Sequence, residues 1–401
     1  MKKRHILFFC LAVVAVVGSC VYDFDPQIDG EGGYLIVDGN IVVGEVSQIR
    51  LSYSWSLVDT LATKDETRMA ILYHSKLHVE DDRGGRYESM SDATSSGSSV
   101  SGGGAYAYFD MREADPSRQY RLVIENSQGT YASAWASVFS PGQIDSLSFS
   151  ISQDLSTMSI RVSSHTAGTD PSYYRWQVNE TWEYHAESDA MYKYIYTGDE
   201  EGEVVPLPPE ESTYRCWTGG SRSEIMTATT EDLTEDRLVD HQLYSIGNHD
   251  ERVSVVYKTE VLQMRIPEEA YRYWVQMDKN EQDVGGLFSP EPSELRGNVA
   301  NLDHPEELVL GYVGVMGVTR AEMYISNAWT RFYRRSFVPQ PALDTLRTPA
   351  EFLEAYDKGR RPAYDVYDDF GNWLGYEWWP SNCLDCRLKG GTTHRPPEWP
   401  L

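Results

Sequence analysis

From residue 33 onward, apolar positions alternate with polar ones in short runs, the two-residue period of half-buried strands. Gln48-Ile49-Arg50-Leu51-Ser52-Tyr53 and Leu77-His78-Val79-Glu80 both follow it. Tyr34-Leu35-Ile36-Val37 and Ile41-Val42-Val43 flank Asp38-Gly39, a dipeptide favoured in two-residue hairpins, so a turn is expected there. A second turn is expected at Asp82-Arg83-Gly84-Gly85, leading into Arg86-Tyr87. Tyr120, Leu122 and Ile124 share one strand face; Asn126–Gly129 turns the chain, which returns through Tyr131, Ser133 and Trp135. The same period recurs in Met158–Val162 and Tyr173–Val178, and strand runs follow at Val253–Tyr257, Val261–Ile266 and Val309–Val315.

Two stretches change to helical spacing. Pro267 occupies a first-turn position with Glu268 and Glu269 at the positive helix end, and Tyr271, Trp274 and Val275 fall at i, i+3 and i+4 before Gly285-Gly286. Thr348-Pro349-Ala350-Glu351 has the Thr-x-x-Glu form of a capping box, and Gly359 ends that helix. Both apolar stripes read as packing faces. Short strands separated by Gly, Asp and Asn turns predict a mainly β protein: two antiparallel, immunoglobulin-like β-sandwich domains in tandem with a few short helices. Ser140-Pro141-Gly142 marks the boundary. The expected domains are 33–139, then 140–335 with its helix near 267–283, then a C-terminal extension, 336–401, carrying the capped helix and a Cys-x-x-Cys tail. The Ser/Gly-rich 94–104 reads as a mobile loop of the first domain.

The N-terminus follows another pattern. Lys2, Lys3 and Arg4 precede twelve apolar residues, Ile6 to Val17, and then Gly18-Ser19-Cys20. This is the order of a secretory signal peptide, expected over 1–19. Twelve residues make a helix of about 18 Å, too short for a hydrocarbon core of about 30 Å. Val17-Gly18-Ser19-Cys20 resembles a bacterial lipobox, which makes Cys20 the expected lipidation site and new N-terminus. Residues 20–32 then form a lipidated flexible tether. An ordinary signal peptide followed by a coincidental cysteine is the blander alternative.

Composition narrows the function classes. Among 401 residues, 35 Lys and Arg face 61 Asp and Glu, a formal charge of −26 that becomes −29 once the signal peptide and its three cations are removed. Such a chain lacks the basic face that nucleic acid or an anionic lipid surface requires. Of five cysteines, Cys10 leaves with the signal peptide and Cys20 takes lipid. In an oxidising compartment, Cys383 and Cys386 are expected to close a short-loop disulfide, with Cys216 left unpaired and buried. A zinc site completed by Cys216 and His394, or a redox pair, are weaker readings of the same spacing. No Walker or Rossmann glycine loop, His-Glu-x-x-His or Gly-x-Ser-x-Gly motif occurs. The most suggestive carboxylate pair, Glu180 and Glu183, lies three apart on a strand and faces opposite sides. No catalytic residue, cofactor or metal is assigned. The chain holds 27 Tyr and 11 Trp; Tyr192, Tyr194 and Tyr196 on one strand face, and Trp373, Tyr376, Trp378, Trp379 and Trp399 near the C-terminus, read mostly as packing, with the remainder available as contact platforms.

Several ordered stretches together resemble one family: Tyr174-Arg175-Trp176 with Glu180-Thr181-Trp182-Glu183, Glu269 to Trp274, Gly286 to Pro290, Pro292 to Val299, Val309 to Val313, Cys383 to Arg387, Gly390-Gly391-Thr392 and Arg395 to Trp399. The chain is similar, from the lipobox to its last residue, to the domain-of-unknown-function family 4249 of Bacteroidota lipoproteins. The acidic run Asp23, Asp25, Asp29 and Glu31 behind Cys20 is similar to their surface-export signal, or is simply a solvated tether. The resemblance implies a lipid-anchored outer-membrane protein facing the exterior, a palmitate-type anchor included. It further implies an accessory, ligand-capturing or lid subunit for nutrient uptake beside a TonB-dependent outer-membrane receptor, SusC-like or siderophore-receptor-like. It carries over no catalytic residues. The alternatives are a stand-alone glycan- or peptide-binding surface lipoprotein and, last, an enzyme.

Overall fold

The computed structural model describes residues 33–54, 69–90, 104–168, 170–198, 201–283, 295–335 and 343–400. The expected signal peptide (1–19), Cys20, the expected tether (20–32) and residues 94–103 of the Ser/Gly-rich loop lie outside these residues.

The chain begins with strands β1 (Leu35–Val42), β2 (Val46–Tyr53), β3 (Lys76–Asp81), β4 (Arg86–Glu88), β5 (Ala105–Asp110), β6 (Gln119–Asn126), β7 (Gly129–Ser133) and β8 (Ala136–Ser137). It continues through β9 (Gln143–Ile151), β10 (Thr157–His165), β11 (Tyr173–His185), β12 (Tyr192–Gly198), β13 (Glu201–Pro206), β14 (Arg215–Ser221), β15 (Met226–Thr229), β16 (Arg237–Gly247) and β17 (Val256–Ile266) to helix α1 (Glu268–Asp283). The last part comprises β18 (Val299–Asn301), β19 (Val313–Met316), β20 (Thr319–Ser326), α2 (Asn327–Thr330), β21 (Asp344–Leu346), α3 (Pro349–Asp357), β22 (Arg360–Tyr367), β23 (Trp373–Pro380) and α4 (Ser381–Leu384).

The protein is mainly β, with several antiparallel sheets and a few short helices. In the first sandwich, a sheet ordered β19-β1-β2-β5 faces one ordered β18-β7-β6-β3-β4. The alternation that predicted strands also builds the core between them: Leu35, Val37 and Ile41 from β1, Ile49 and Leu51 from β2, and Tyr120, Leu122 and Ile124 from β6 are all buried. Each such side chain contributes about 1.5–3 kcal/mol by leaving water. The second sandwich sets β16-β10-β9 against β14-β11-β17-β20, over a core that includes Met158, Ile160, Val162, Tyr174, Trp176 and Val178.

Asp38-Gly39 is not a turn. It lies inside β1, where Gly39 sits opposite Ile49, and the chain reverses only at residues 43–45. The glycine is needed for another reason: at φ +141° a Cβ there would run into the Gln48 carbonyl of β2. Val253 likewise belongs to a short 3-10 turn, so β17 begins only at Val256.

The domain boundary at residue 140 is crossed by the chain. After α1 it returns to the first sandwich, where β18 pairs with β7 and β19 pairs in parallel with β1. Val299, Val309, Val313 and Val315 complete the first core. The hairpin β12–β13 also leaves its sequence neighbours: Tyr194 joins Phe352, Ala355 and Trp378 in a small core with α3 and the β21-β23-β22 sheet. Helix α3 starts with the expected capping box between Thr348 and Glu351.

Candidate functional site

The disulfide differs from expectation. Cys386 bonds to Cys216 on β14, 170 residues away, and Cys383 keeps a free, half-buried thiol whose pKa burial raises. The predicted Cys383–Cys386 bridge is therefore corrected, and Cys216 is not unpaired. Cys383 lies on α4, whereas Cys386 follows it in a 3-10 turn that buries its side chain with Cys216 and Tyr184. The bond spends the thiols of Cys216 and Cys386, so neither can serve as a thiolate ligand to metal.

This bond anchors a C-terminal latch. Tyr184 donates a hydrogen bond to the Cys386 carbonyl (2.8 Å), Trp217 and Thr392 exchange two backbone hydrogen bonds, and the Trp399 indole N–H donates to Glu183 (2.9 Å). Gly391 is required because a Cβ there would enter the Tyr184 ring. Burial raises the Glu183 pKa, but hydrogen bonds from His185, Trp399 and Arg215 outweigh it and hold the carboxyl below its ordinary range. Trp378 and Trp399 are buried, so the C-terminal aromatics mainly hold the extension together; Phe370, at the β22–β23 tip, is 91% exposed.

Glu180 and Glu183 do not converge. Glu180 ends the inward face of β11 and meets Arg222 (2.8 Å) and Arg252 (3.0 Å), with the Tyr257 hydroxyl donating to it. Burial, with Tyr244 and Glu180 beside it, keeps the Tyr257 phenol strongly protonated. Arg252 is in turn gripped by Asp250. Every charge of this group has a partner, and the two carboxylates share none.

The other face of β11 opens on a cleft of about 680 Å³ where the two sandwiches and α1 meet. Its walls include Ile36 and Asp38 of β1, Arg175 of β11, Tyr273, Trp274 and Met277 of α1, and Leu310, Gly311 and Tyr312 before β19. Alternation places Arg175 here, between Tyr174 and Trp176, which point into the second core. Its guanidinium carbon lies 3.7 Å from the centre of the Trp274 ring. No side chain of the described residues gives it a hydrogen bond or ion pair. Burial draws its pKa down to about 10 against the opposing pull of Asp38 and Tyr273. The Tyr273 ring lies tilted 5.1 Å from Tyr312 and edge-on 5.2 Å from Trp274. Burial pushes both phenols up to about 12, Asp38 adding to the rise at Tyr273 and Glu269 to that at Tyr312.

The backbone of this wall is tightly spaced. Gly311, at φ +95°, leaves no room for a Cβ against the Val37 carbonyl, nor does Gly297 against Gly311. Asn298 clamps the start of β19, its amide donating to the Val313 carbonyl and accepting from the Val313 N–H, each at 2.8 Å. Thus four of the stretches that carry the family resemblance, those containing Arg175, Trp274, Leu295 to Asn298 and Leu310 to Tyr312, come together around one cleft. Sequence reasoning missed it. The available signal was an arginine on the outward face of an alternating strand; its aromatic partner lies 99 positions away on a helix.

A family model described as Domain of unknown function (DUF4249) matches residues 21–322, about three quarters of the chain. The chain belongs to this family. The match covers β1 to β19 and the residues around the cleft, and ends within β20. No curated protein matches the chain. Among the described residues, no group of three or more His, Cys, Asp and Glu is placed to hold a metal ion.

Proposed function

We propose that this protein is a surface-exposed outer-membrane lipoprotein that captures a ligand without transforming it, as accessory or lid subunit of a TonB-dependent receptor. The observation that carries the reading is the cleft. A concave, mostly apolar space with a few fixed polar groups is the form taken by small-molecule sites, and its volume falls in their usual range of about 300–1,000 Å³. Acylation of Cys20 and the short tether would hold this cleft close to a receptor. At the effective concentration that tethering creates, even a modest interface stays occupied.

The test is recovery of the tagged lipoprotein from outer membranes. A TonB-dependent receptor in the recovered material is the expected outcome, and its absence overturns the receptor role. A second reading, a stand-alone glycan- or peptide-binding lipoprotein, draws on Trp329 and Phe370, whose rings are 80% and 91% exposed and lie outside the cleft. Binding to glycan or peptide arrays that is lost when those two residues are replaced by Ala would favour it.

A further inference from the structure

Arg175 is a half-buried cation in the cleft wall, and among the described residues no side chain meets it with a hydrogen bond or ion pair. Trp274 covers one face of the guanidinium, which orients the fork and leaves its N–H edges for another group. Elsewhere in the protein the buried arginine, Arg222, is met by two carboxylates, Glu180 and Glu224. A guanidinium left without such a partner is complementary to an anion from outside, held by paired charge-assisted hydrogen bonds.

The surroundings limit which anion. Two carboxylates, Asp38 and Glu281, line the same cleft with Arg50 and Arg175, and the whole chain carries −26, so the cleft has no excess of positive charge to meet a multiply charged phosphate. A single carboxylate matches the charge. Beside its charged and hydroxyl groups the cleft presents aromatic and aliphatic side chains, with the Tyr273–Tyr312 pair and Met277 offering apolar contact. From this we infer that the cleft binds a small monocarboxylate with a flat, apolar body, its carboxylate on Arg175 and its body against Tyr273, Trp274 and Tyr312. The inference rests on the ligand-capture reading and specifies the chemistry of the captured molecule.

The test uses the mature lipoprotein in detergent, titrated calorimetrically to millimolar concentration with 2-naphthoate and with its neutral amide. The wild type is expected to favour the acid at least tenfold. Arg175→Met should abolish the preference while leaving the thermal melt unchanged or higher, and Arg175→Lys should restore part of it. Trp274→Ala should weaken acid and amide alike. Equal binding of acid and amide, no binding of either, or an unchanged preference in Arg175→Met overturns the inference. The receptor reading fails separately: a selective, Arg175-dependent site in a protein recovered without a receptor removes the partner and keeps the ligand class. Recovery of a receptor with no preference for acid does the reverse.

Discussion

Glu180 and Arg175 stand five residues apart on β11 and occupy opposite situations. Glu180 faces into the second sandwich, where two arginines, a tyrosine hydroxyl and, one step further, Asp250 complete its environment. Arg175 faces out, into the cleft shared with the first sandwich, and lies over an aromatic ring with no ion-pair partner among the described residues. Among the described residues the folded chain thus meets the buried Glu180's need for partners and leaves that of the half-buried Arg175 open. A saturated group is explained by stability alone. One left unsaturated in a cavity is a cost to the fold that a ligand can offset.

The largest expected effect tests whether this contrast is local. Replacing Cys216 with Ser removes a cross-link between residues 170 apart, and the loop-entropy relation puts the loss at about 5 kcal/mol. Denaturant unfolding should show that drop while the 2-naphthoate titration remains unchanged, because the latch and the cleft share no residues. Altered binding would mean that the cleft depends on the latch.

Glu180→Ala should cost about 3 kcal/mol by taking their shared carboxylate from Arg222 and the half-buried Arg252, which keep Glu224 and Asp250. A loss under 1 kcal/mol would show that the network is solvated, and the contrast with Arg175 would disappear.

Acid provides a milder probe of the latch. Because the Glu183 carboxyl is held below its ordinary value of 4.5 in the folded protein, its contribution is complete above that pH and disappears as pH falls through the depressed value. Stability measured from pH 6 downward should decline over that window, and the decline should be shallower in Glu183→Gln.

The smallest effect belongs to Arg175. Arg175→Met removes a half-buried cation that has no ion-pair partner among the described residues, so stability should change by less than about 1 kcal/mol and in the favourable direction if at all. A loss as large as that of Glu180→Ala would make Arg175 a structural residue.

Local chemistry was legible where it acts over a few residues. The strands around Tyr120–Ile124 and Met158–Val162, the turn at Asn126–Gly129, helix α1 and the Thr348–Glu351 capping box all follow from spacing within one element. Asp38-Gly39 misled because the same dipeptide that makes hairpin turns also permits close approach of a neighbouring strand. The bond between Cys216 and Cys386 was not legible, since the short Cys383–Cys386 spacing hid a partner on a distant strand. The site was only half legible: alternation set Arg175 on the outer face of β11, but nothing near it named Trp274 or Tyr312.

By itself, the amino-acid order determined that this is a strand-rich, acidic chain, because periodicity and charge are properties of neighbouring residues. Tertiary structure alone decided that residues 299–316 return to the first sandwich, that Cys386 finds Cys216, and that Arg175 lies over Trp274. Those outcomes depend on which distant surfaces exclude water from one another, and only the folded chain brings these surfaces together.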